Sequence, residues 1–574
     1  MLRLLRALRE ELIFHTILYK GGPRLLFLCP HPSFFFILVV PLHIQILKMK
    51  KIALLLIPLW LCAAPAAFAQ GNGALFTDET TAKQLYFSGN MHEAARHFEE
   101  LLRIDSLHYE YNLFAGYAFL NSHIDYNKAI IHFQRAQQNP KADPYIPFYL
   151  GKAYLLCYRF DDAIACFNTF KQKNLKLDKS DLSPDRYIEM CNNAKLLIEM
   201  RNNVTVENVG DAVNSEFPDY NAFVNGDEDV LYFVSKQAQN IGSQLDYDGY
   251  KLADVYVSER IGGQWSKAKK MNSPVNSALI EEVVGLSPDG EQMLLYFNND
   301  KGFDDIFLSH KEKKAFTRPE MLSMTVNSDA TEHAAAISPD GAWIFFSSNR
   351  SGGYGGLDIY LSRRLPNGEW STPKNAGPNI NTKYDDDCPY LAPDGVTFFF
   401  CSQGHNSMGG FDLFRSTWDA AEQFFAIPEN LAFPINTPDD NKTISITKSG
   451  RYAYIADFRA GSRGDYDIYK VTFLDKPAPY SVLKGCVVDA DSAVMITELT
   501  RYKVVIRDAG SKQQVGTYLP DLHNGRFTFI LRPGFYLTDY YVDDKLISTQ
   551  ELFIEDREQG TEIRELQFTT TTNP

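Results

Sequence analysis

The sequence predicts a multidomain protein of the α plus all-β class, with a helical solenoid, a five-bladed β-propeller and a C-terminal β-sandwich. Three observations lead to this prediction. Two different short motifs each recur five times in the middle of the chain, and a helical repeat precedes them. The segment after them alternates apolar and polar residues with period two.

The first motif is an Asp followed by an apolar and an aromatic residue. Its copies are 51 to 55 residues apart, a spacing that suits one propeller blade per copy. The copies begin at Asp254, Asp305, Asp358, Asp412 and Asp467. We interpret this Asp as structural, because its carboxylate can accept N–H groups of the turn before it. Five such carboxylates around a ring could instead cradle a cation or a polar ligand.

The second motif is Val-Asn-Ser or Ile-Asn-Thr, and each copy leads into a blade. Its asparagines are Asn214, Asn276, Asn327, Asn381 and Asn436. The fifth blade lacks an outer strand of its own after Tyr469, whereas the segment from Val204 to Val209 has no strand of its own blade to pair with. We predict that this segment completes the fifth blade and closes the ring, so that the propeller spans residues 203–475.

Residues 49–69 have the charged, apolar and small-residue parts of a secretory signal, which predicts cleavage between Ala69 and Gln70. Residues 1–48 hold a second apolar stretch, which we interpret as an over-long start or an extra apolar segment. Cys62 stands where a bacterial lipoprotein signal places its acylated cysteine, although Leu61 replaces the small residue of such signals. Cleavage and lipidation both stay open, and lipidation or a partner protein are the two routes to a membrane.

Between residues 74 and 202 the apolar residues follow the period of a helix. Small and aromatic residues recur at intervals of 34 to 35, as Ala94 with Phe98, Ala129 with Phe133, Ala163 with Phe167, and Gly116 and Gly151 on the preceding helices. This pattern resembles the tetratricopeptide repeat, which implies stacked helical pairs with a groove for a partner segment. Tyr109, Tyr111, Tyr145 and Tyr149 either line that groove or pack between the repeats.

Residues 480–570 contain short alternating segments separated by turns every eight to twelve residues. Their order resembles the carboxypeptidase regulatory-like domain, which implies a transthyretin-like β-sandwich. The segment shows no candidate for chemistry.

Charge and cysteine content limit the classes of partner. The chain carries 57 Lys or Arg and 71 Asp or Glu, a net charge of -14, so we expect no nucleic-acid partner. Cys388 and Cys401 flank a Pro-Asp-Gly turn, and a two-residue turn at Asp394 and Gly395 would place them face to face. They either form a disulfide in an oxidising compartment or fill the sheet as small apolar residues.

Motifs of catalysis are incomplete in this sequence. The segment from Ala460 to Gly464 lacks the first glycine of a nucleophile elbow, and no His-Glu-x-x-His occurs. Acidic pairs such as Glu281-Glu282 and the run from Asp385 to Asp387 recur after the Asn motif, which favours a structural role over metal binding. We therefore predict no catalytic, cofactor-binding or metal-binding residue, no cofactor, and no enzyme activity.

The turn Ser338-Pro339-Asp340-Gly341 and the strand after it resemble the TolB-like propeller with its PD40, WD40-like repeats. The domain order is similar to a narrower group of envelope proteins, among them the peptidoglycan-associated component of the type IX secretion system. Those proteins usually continue into an OmpA-like domain, which we do not find up to Pro574, so peptidoglycan binding is not carried over.

The resemblance implies a scaffold or adaptor in the periplasm or on the periplasmic face of the outer membrane of a Gram-negative bacterium. Its helices and propeller would bind other envelope proteins, in type IX secretion or outer-membrane assembly. The alternative is a ligand-binding protein whose propeller recognises a glycan or a peptidoglycan fragment through its acidic, aromatic rim.

Overall fold

The computed structural model describes residues 15–17, 24–26, 39–41, 77–178, 181–298, 304–478, 481–489, 501–521, 526–556 and 565–570. The chain divides into two units, residues 1–74 and 75–574. In the first unit three short strands pair antiparallel: β1 (His15–Ile17), β2 (Arg24–Leu26) and β3 (Val39–Pro41). The predicted signal at 49–69, with Cys62, Ala69 and Gln70, lies outside the described residues. None of the helices in the described ranges is long and apolar enough to cross a membrane.

The second unit begins with seven helices, of which the first six form three consecutive hairpins. They are α1 (Glu79–Ser88), α2 (Met91–Ile104), α3 (Tyr109–Leu120), α4 (Tyr126–Ala136), α5 (Ile146–Leu156), α6 (Phe160–Lys171) and α7 (Pro184–Glu199). Side chains that accept backbone N–H groups begin several of them, as Asp78 does for α1 and Ser183 for α7. Pro184 occupies the first turn of α7, where a missing N–H costs nothing.

The recurring glycines let the two helices of a hairpin approach closely. A Cβ atom on Gly116 would lie 2.7 Å from the ring of Phe133, and one on Gly151 would lie 2.8 Å from the ring of Phe167. Both rings are fully buried. The Gly and Phe positions of the repeat are therefore two halves of one packing contact.

Five antiparallel sheets of four or five strands follow, and each is one blade. Blade 1 contains β5 (Asp219–Val224), β6 (Val230–Ser235), β7 (Asp254–Ile261), β8 (Gln264–Trp265) and β9 (Lys269–Lys270). Blade 2 contains β10 (Glu281–Leu286), β11 (Gln292–Asn298), β12 (Asp304–Glu312), β13 (Ala315–Phe316) and β14 (Glu320–Met321). Blade 3 contains β15 (Glu332–Ile337), β16 (Trp343–Ser348), β17 (Asp358–Arg363) and β18 (Lys374–Asn375).

Blade 4 contains β19 (Asp386–Leu391), β20 (Thr397–Ser402), β21 (Asp412–Asp419), β22 (Phe424–Phe425) and β23 (Glu429–Asn430). Blade 5 contains β24 (Ile444–Ile446), β25 (Tyr452–Asp457), β26 (Asp467–Phe473) and β4 (Val204–Asn208). The sheets surround a buried apolar cluster that draws side chains from blades 1, 2, 4 and 5, and the side chains of blade 3 pack in two further clusters with blades 2 and 4.

The strand β4 completes blade 5 from the other end of the domain. It pairs antiparallel with β26, from Asn208 opposite Tyr469 to Val204 opposite Phe473. This confirms the closing pair predicted from the sequence. Closure leaves blade 5 with the same four-stranded form as blade 3.

The two repeated motifs contact each other. The amide of each motif asparagine accepts from the backbone N–H, and donates to the C=O, of the apolar residue in an Asp-apolar-aromatic motif. The pairs are Asn276 with Val255, Asn327 with Ile306, Asn381 with Ile359, Asn436 with Leu413 and Asn214 with Ile468. The last pair joins the first motif copy to the last blade, so it also belongs to the ring closure.

The C-terminal part consists of two sheets that share one buried apolar cluster. One has the order β30 (Arg526–Leu531), β27 (Ser481–Asp489), β33 (Glu565–Thr570), and the other has the order β29 (Gln514–Tyr518), β28 (Tyr502–Asp508), β31 (Gly534–Val542), β32 (Lys545–Ile554). Asp556 joins this part to the propeller through an ion pair of 2.7 Å with Arg451.

The substitution Gly151→Ala tests the helical packing. We expect it to lower the free energy of unfolding by about 1–3 kcal/mol, because its methyl group has no room beside Phe167. Urea unfolding followed by circular dichroism measures the change. Gly510→Ala is the control, since the nearest atom there, an oxygen of Asp508, is 3.5 Å away. Equal midpoints for the two variants would contradict the packing explanation.

Candidate functional site

A cavity of about 1200 Å³ lies between the helical hairpins and one face of the propeller. On the propeller side all five inner strands contribute to its wall, through residues at or near their first positions. On the helical side the wall comes from α1, α3, α5 and the segments next to them. Two domains that the sequence treats as separate binding modules therefore enclose one space.

The inner strands are positioned by the residue that follows the Asn motif. This Ser or Thr donates its backbone N–H to a side chain four residues later, at the start of the next inner strand. The pairs are Ser215 with Asp219, Ser277 with Glu281, Ser328 with Glu332, Thr382 with Asp386 and Thr437 with Asn441. All five acceptors are buried. Four acceptors are acidic and the fifth is Asn441, so this position shapes the chain in every blade.

The next residue of each inner strand differs from blade to blade. It is Tyr220, Glu282, His333, Asp387 or Lys442. Four of these side chains line the cavity, and Asp387 is buried next to His333. Variation at one position of a regular repeat gives the propeller face a chemically asymmetric ring, which we call the mouth ring.

Four members of the mouth ring contact each other in two pairs, and the fifth, Lys442, pairs with a neighbouring carboxylate. The Tyr220 hydroxyl donates to Glu282 Oε1 at 2.7 Å. His333 Nδ1 lies 2.7 Å from Asp387 Oδ2. Lys442 Nζ lies 3.4 Å from Asp440 Oδ2. The ring thus has two chemically different sides. On the side of Tyr220 and Glu282 a neutral hydroxyl donates to a carboxylate, and on the side of His333, Asp387 and Lys442 the contacts are ion pairs.

Neighbouring charges shift the pKa values of His333, Asp387 and Lys442. The Asp387 carboxylate holds the pKa of the His333 imidazole well above its ordinary value. Burial alone would raise the pKa of Asp387, but His333 and a hydrogen bond from Ser347 hold it below its ordinary value. Burial likewise opposes the charged form of Lys442, and Asp440 with its acidic neighbours raises the pKa of that ammonium nevertheless. These groups are charged at neutral pH.

A row of three tyrosines forms the helical wall of the cavity. Tyr86 of α1, Tyr117 of α3 and Tyr149 of α5 all line it. The ring of Tyr117 is 6.4 Å from that of Tyr86 and 4.7 Å from that of Tyr149. Among the described residues no group forms a hydrogen bond with any of these three hydroxyls. They are therefore available to a polar ligand.

Only one member of this row is among the four tyrosines that the sequence places in the groove or between the repeats. Tyr149 lines the cavity, but the hydroxyls of Tyr109, Tyr111 and Tyr145 bond Asp143, Glu79 and Lys176 inside the helical part. Tyr86 and Tyr117 were missed. Their signal was the spacing of 31 and 32 residues between first helices of successive hairpins.

A histidine joins the two walls. His123, after α3, has Nδ1 3.0 Å from Asp465 Oδ1 and Nε2 3.9 Å from Asp439 Oδ1 of the propeller. The hydroxyl of Tyr126 donates to the other oxygen of Asp439 at 2.5 Å. Burial would lower the pKa of His123, but the two carboxylates raise it to about 9. We call this contact the histidine clamp.

A buried arginine forms the second contact between the walls. Arg186 of α7 donates to the backbone carbonyls of Gln403, Gly404 and His405 in blade 4. Its guanidinium also lies 4.8 Å from the ring of Tyr384. Because the guanidinium donors match three carbonyls of one loop, this contact fixes the position of α7 on the propeller.

The repeated aspartates lie outside the cavity. Asp254, Asp358, Asp412 and Asp467 each accept a backbone N–H from the loop before their strand, and Asp305 is buried on β12. The structure does not bring these five carboxylates together at the mouth ring. Their structural role remains the interpretation we favour.

The two cysteines of blade 4 are free thiols in the structure. The predicted geometry is corrected by one residue, because Asp387 rather than Cys388 pairs with Cys401. Cys388 belongs to a bulge between Asp387 and Tyr390 and has a positive φ of 49°. Burial raises the pKa of the Cys401 thiol, while the neighbouring Cys401 lowers that of Cys388. A disulfide between them stays a prediction.

No protein-family model matches the chain, and no curated protein matches it either. Its fold is similar to solved structures that include TolB from Acinetobacter baumannii, with 17% identity and a TM-score of 0.29 over 46% of this chain. The match spans 56% of the TolB chain. The five sheets define the propeller by themselves, and the TolB structure adds a low-scoring likeness that assigns the chain to no class.

The prediction that the chain is not an enzyme is wrong in view of the other similar structures. They include xylosidases, an arabinofuranosidase and an arabinanase. A beta-xylosidase/alpha-arabinofuranosidase from a compost metagenome is 12% identical, with a TM-score of 0.32 over 47% of this chain and 96% of its own. An alpha-L-arabinanase from Penicillium chrysogenum is 10% identical, with a TM-score of 0.28 over 48% and 99%. At these scores neither an activity nor a substrate of these proteins is carried over to this chain.

The histidine clamp predicts a dependence of stability on pH. A histidine whose pKa rises from 6.5 to about 9 on folding contributes fully below pH 6.5 and loses its contribution as the pH rises through 9. We expect His123→Gln to cost up to about 3 kcal/mol near pH 6 and almost nothing at pH 10. Melting temperatures of both proteins at the two pH values measure this. His310→Gln, on an exposed residue, is the control, and a His123→Gln effect equal at both pH values would contradict the clamp.

Proposed function

We propose that this chain is a cell-envelope binding protein that holds a segment of a partner protein in the cavity between its helices and its propeller. The cavity and its row of free tyrosine hydroxyls carry the proposal. Its volume exceeds the range of about 300–1,000 Å³ found for small-molecule sites, so a longer polar chain suits it better.

The chemistry of the two walls supports an extended peptide. The tyrosine row presents apolar ring faces with polar tips, which suit a backbone that needs both contact area and hydrogen bonds. The opposite wall presents Glu282, His333 and Lys442, whose different charges can select side chains. One wall therefore supplies affinity that is independent of sequence, and the other supplies specificity.

The detailed assignment of the domains is part of the proposal. We infer that the three helical hairpins are tetratricopeptide-like repeats and that the C-terminal sheets form a sandwich of the carboxypeptidase regulatory-like type. We place the protein in the periplasm or on the periplasmic face of the outer membrane, with envelope proteins as partners. A link to type IX secretion or outer-membrane assembly rests on the resemblance in domain order alone.

A glycan is the second candidate ligand, and the tyrosine row is the observation that favours it. Aromatic faces pack against sugar rings as well as against peptides, and three tyrosines in a row suit successive units of one chain. A peptidoglycan fragment would bring both sugar rings and a peptide.

A photo-crosslinking residue placed at Tyr117 tests the proposal in the full chain. In envelope preparations we expect Tyr117→p-benzoylphenylalanine to form an adduct with a polypeptide, because this side chain faces the cavity. The adduct should become at least tenfold weaker when Tyr86 and Tyr149 are also changed to Ala. Mass spectrometry of the adduct identifies the partner segment.

The matched control is the same residue at Phe424, which is 56% exposed on an outer strand away from the cavity. Equal adducts at both positions would show adhesion rather than a site. The glycan hypothesis replaces the peptide hypothesis if two results are found together. The first is that the residue at position 117 forms no adduct with a polypeptide, and the second is that calorimetry shows binding of a soluble peptidoglycan fragment that is lost when Tyr117 is substituted.

A further inference from the structure

We propose that His333, Asp387 and Cys388 bind a zinc ion in the propeller wall of the cavity. One donor atom from each of the three side chains lies within 4.8 Å of the other two. In the described part of the chain this is the one group of three or more metal-ligating side chains with such spacing. The proposal does not depend on which partner the cavity holds.

The fold brings these residues together from two blades. His333 belongs to the inner strand β15, and Asp387 and Cys388 belong to the adjacent inner strand β19. In a regular strand two consecutive residues point to opposite faces, so Asp387 and Cys388 could not share a ligand. The bulge after Asp387 removes this restriction and lets both approach His333.

The bulge has an unusual occupant in blade 4. The equivalent residue of blade 1 is Asn221, and both Asn221 and Cys388 have a φ of 49°. Asparagine adopts this left-handed conformation readily, whereas a cysteine there is less favourable by about 1 kcal/mol. The Cys388 side chain packs against two apolar clusters, but its backbone conformation is one that a cysteine adopts at a cost.

The donor types favour zinc over other cations. An imidazole nitrogen, a thiolate sulfur and a carboxylate oxygen are its usual ligands, at distances that place neighbouring donors about 3–4 Å apart. The present separations need only small side-chain adjustments to reach that range. A thiolate excludes the hard cations calcium and magnesium as the preferred occupants. Zinc would displace the proton that His333 carries beside Asp387, and the neutral imidazole with two anionic ligands would then balance the charge of a divalent ion.

Residues around the cluster are arranged as a supporting shell. Ser347 Oγ and the backbone N–H of Cys388 both donate to Asp387 Oδ1, at 2.5 and 2.7 Å, whereas Oδ2 contacts only His333 among the proposed ligands, and the ion would replace this contact. The nearby cation Lys442 is paired with Asp440 at 3.4 Å. Its ammonium thus has a carboxylate of its own and need not neutralise the ligand set.

Three protein ligands leave the fourth tetrahedral position open. His333 and Cys388 both line the cavity, so this position is accessible from it. A carboxylate or carbonyl oxygen of a bound molecule would fill it. The site therefore adds a directional contact that neither the tyrosine row nor the charged pairs can make.

Zinc binding is measured on the full chain, kept reduced and freed of metal by dialysis. Titration calorimetry with zinc chloride should show one ion per chain, and calcium chloride should show none. We expect Cys388→Ser and His333→Ala to weaken zinc binding at least about 100-fold, since even supporting residues account for 10- to 100-fold. With cobalt as a probe, Cys388→Ser should abolish the thiolate charge-transfer band.

Two substitutions serve as matched controls for folding and background binding. His92→Ala changes another histidine of the same cavity, and Cys166→Ser changes another partly buried thiol. Both should bind zinc as the wild type does, and circular dichroism verifies that all variants fold. Asp387→Asn keeps the shape of the third ligand and should weaken zinc binding without loss of the fold.

Three results would overturn the proposal. The first is that the reduced wild type binds no zinc. The second is that the zinc binding and the cobalt band survive both Cys388→Ser and His333→Ala. The third is a Cys388–Cys401 disulfide in the chain as isolated from the envelope, because it would remove the thiolate in the compartment where the protein works. None of these results bears on the crosslink at Tyr117, so failure of one proposal is separable from failure of the other.

Discussion

The side-chain amide of the motif asparagine is the interaction on which the propeller depends. Its oxygen and nitrogen take the place of a neighbouring strand, bonding the N–H and the C=O of one residue in the third strand of a blade. Each amide is buried, so losing it would leave two backbone groups unpaired away from water. The preceding Val or Ile enters the core, and the following Ser or Thr donates its N–H to the residue that leads into the next inner strand. Three consecutive residues thus join core, blade and successor blade.

This device explains why a regular scaffold can carry an irregular site. Every blade repeats the same bonds up to the Asp, Glu or Asn that accepts the Ser or Thr N–H, and the residue after it takes no part in these bonds. Tyr220, Glu282, His333, Asp387 and Lys442 differ because their backbone is already positioned by others. The helices then cover this ring, fastened by the histidine clamp and by Arg186. The cavity is a product of docking and belongs to neither domain alone.

Much of the propeller was predictable because its determinants are local and repeated. The Asp and Asn motifs recur in every blade, and the unpaired segment at Val204 predicts the closing strand that the structure shows. The docking of α7 was not predictable, since Arg186 bonds backbone carbonyls that any sequence would offer. The bulge at Cys388 was missed for a related reason. A register shift of one residue has no composition signal, yet it decides whether Cys388 or Asp387 lies opposite Cys401. Contacts that use the main chain of the partner segment do not depend on its side chains, so its sequence gives little sign of them.

The position of the closing strand has a mechanical consequence. Only four residues separate the end of α7 at Glu199 from the start of β4 at Val204. A force on the helical hairpins therefore reaches the propeller at two kinds of point, the covalent link to β4 and the contacts of His123 and Arg186. Because β4 is also the strand that closes the ring, the covalent link ends in a strand with five paired residues in blade 5. A molecule held by the helices is thus tethered to the closure of the propeller.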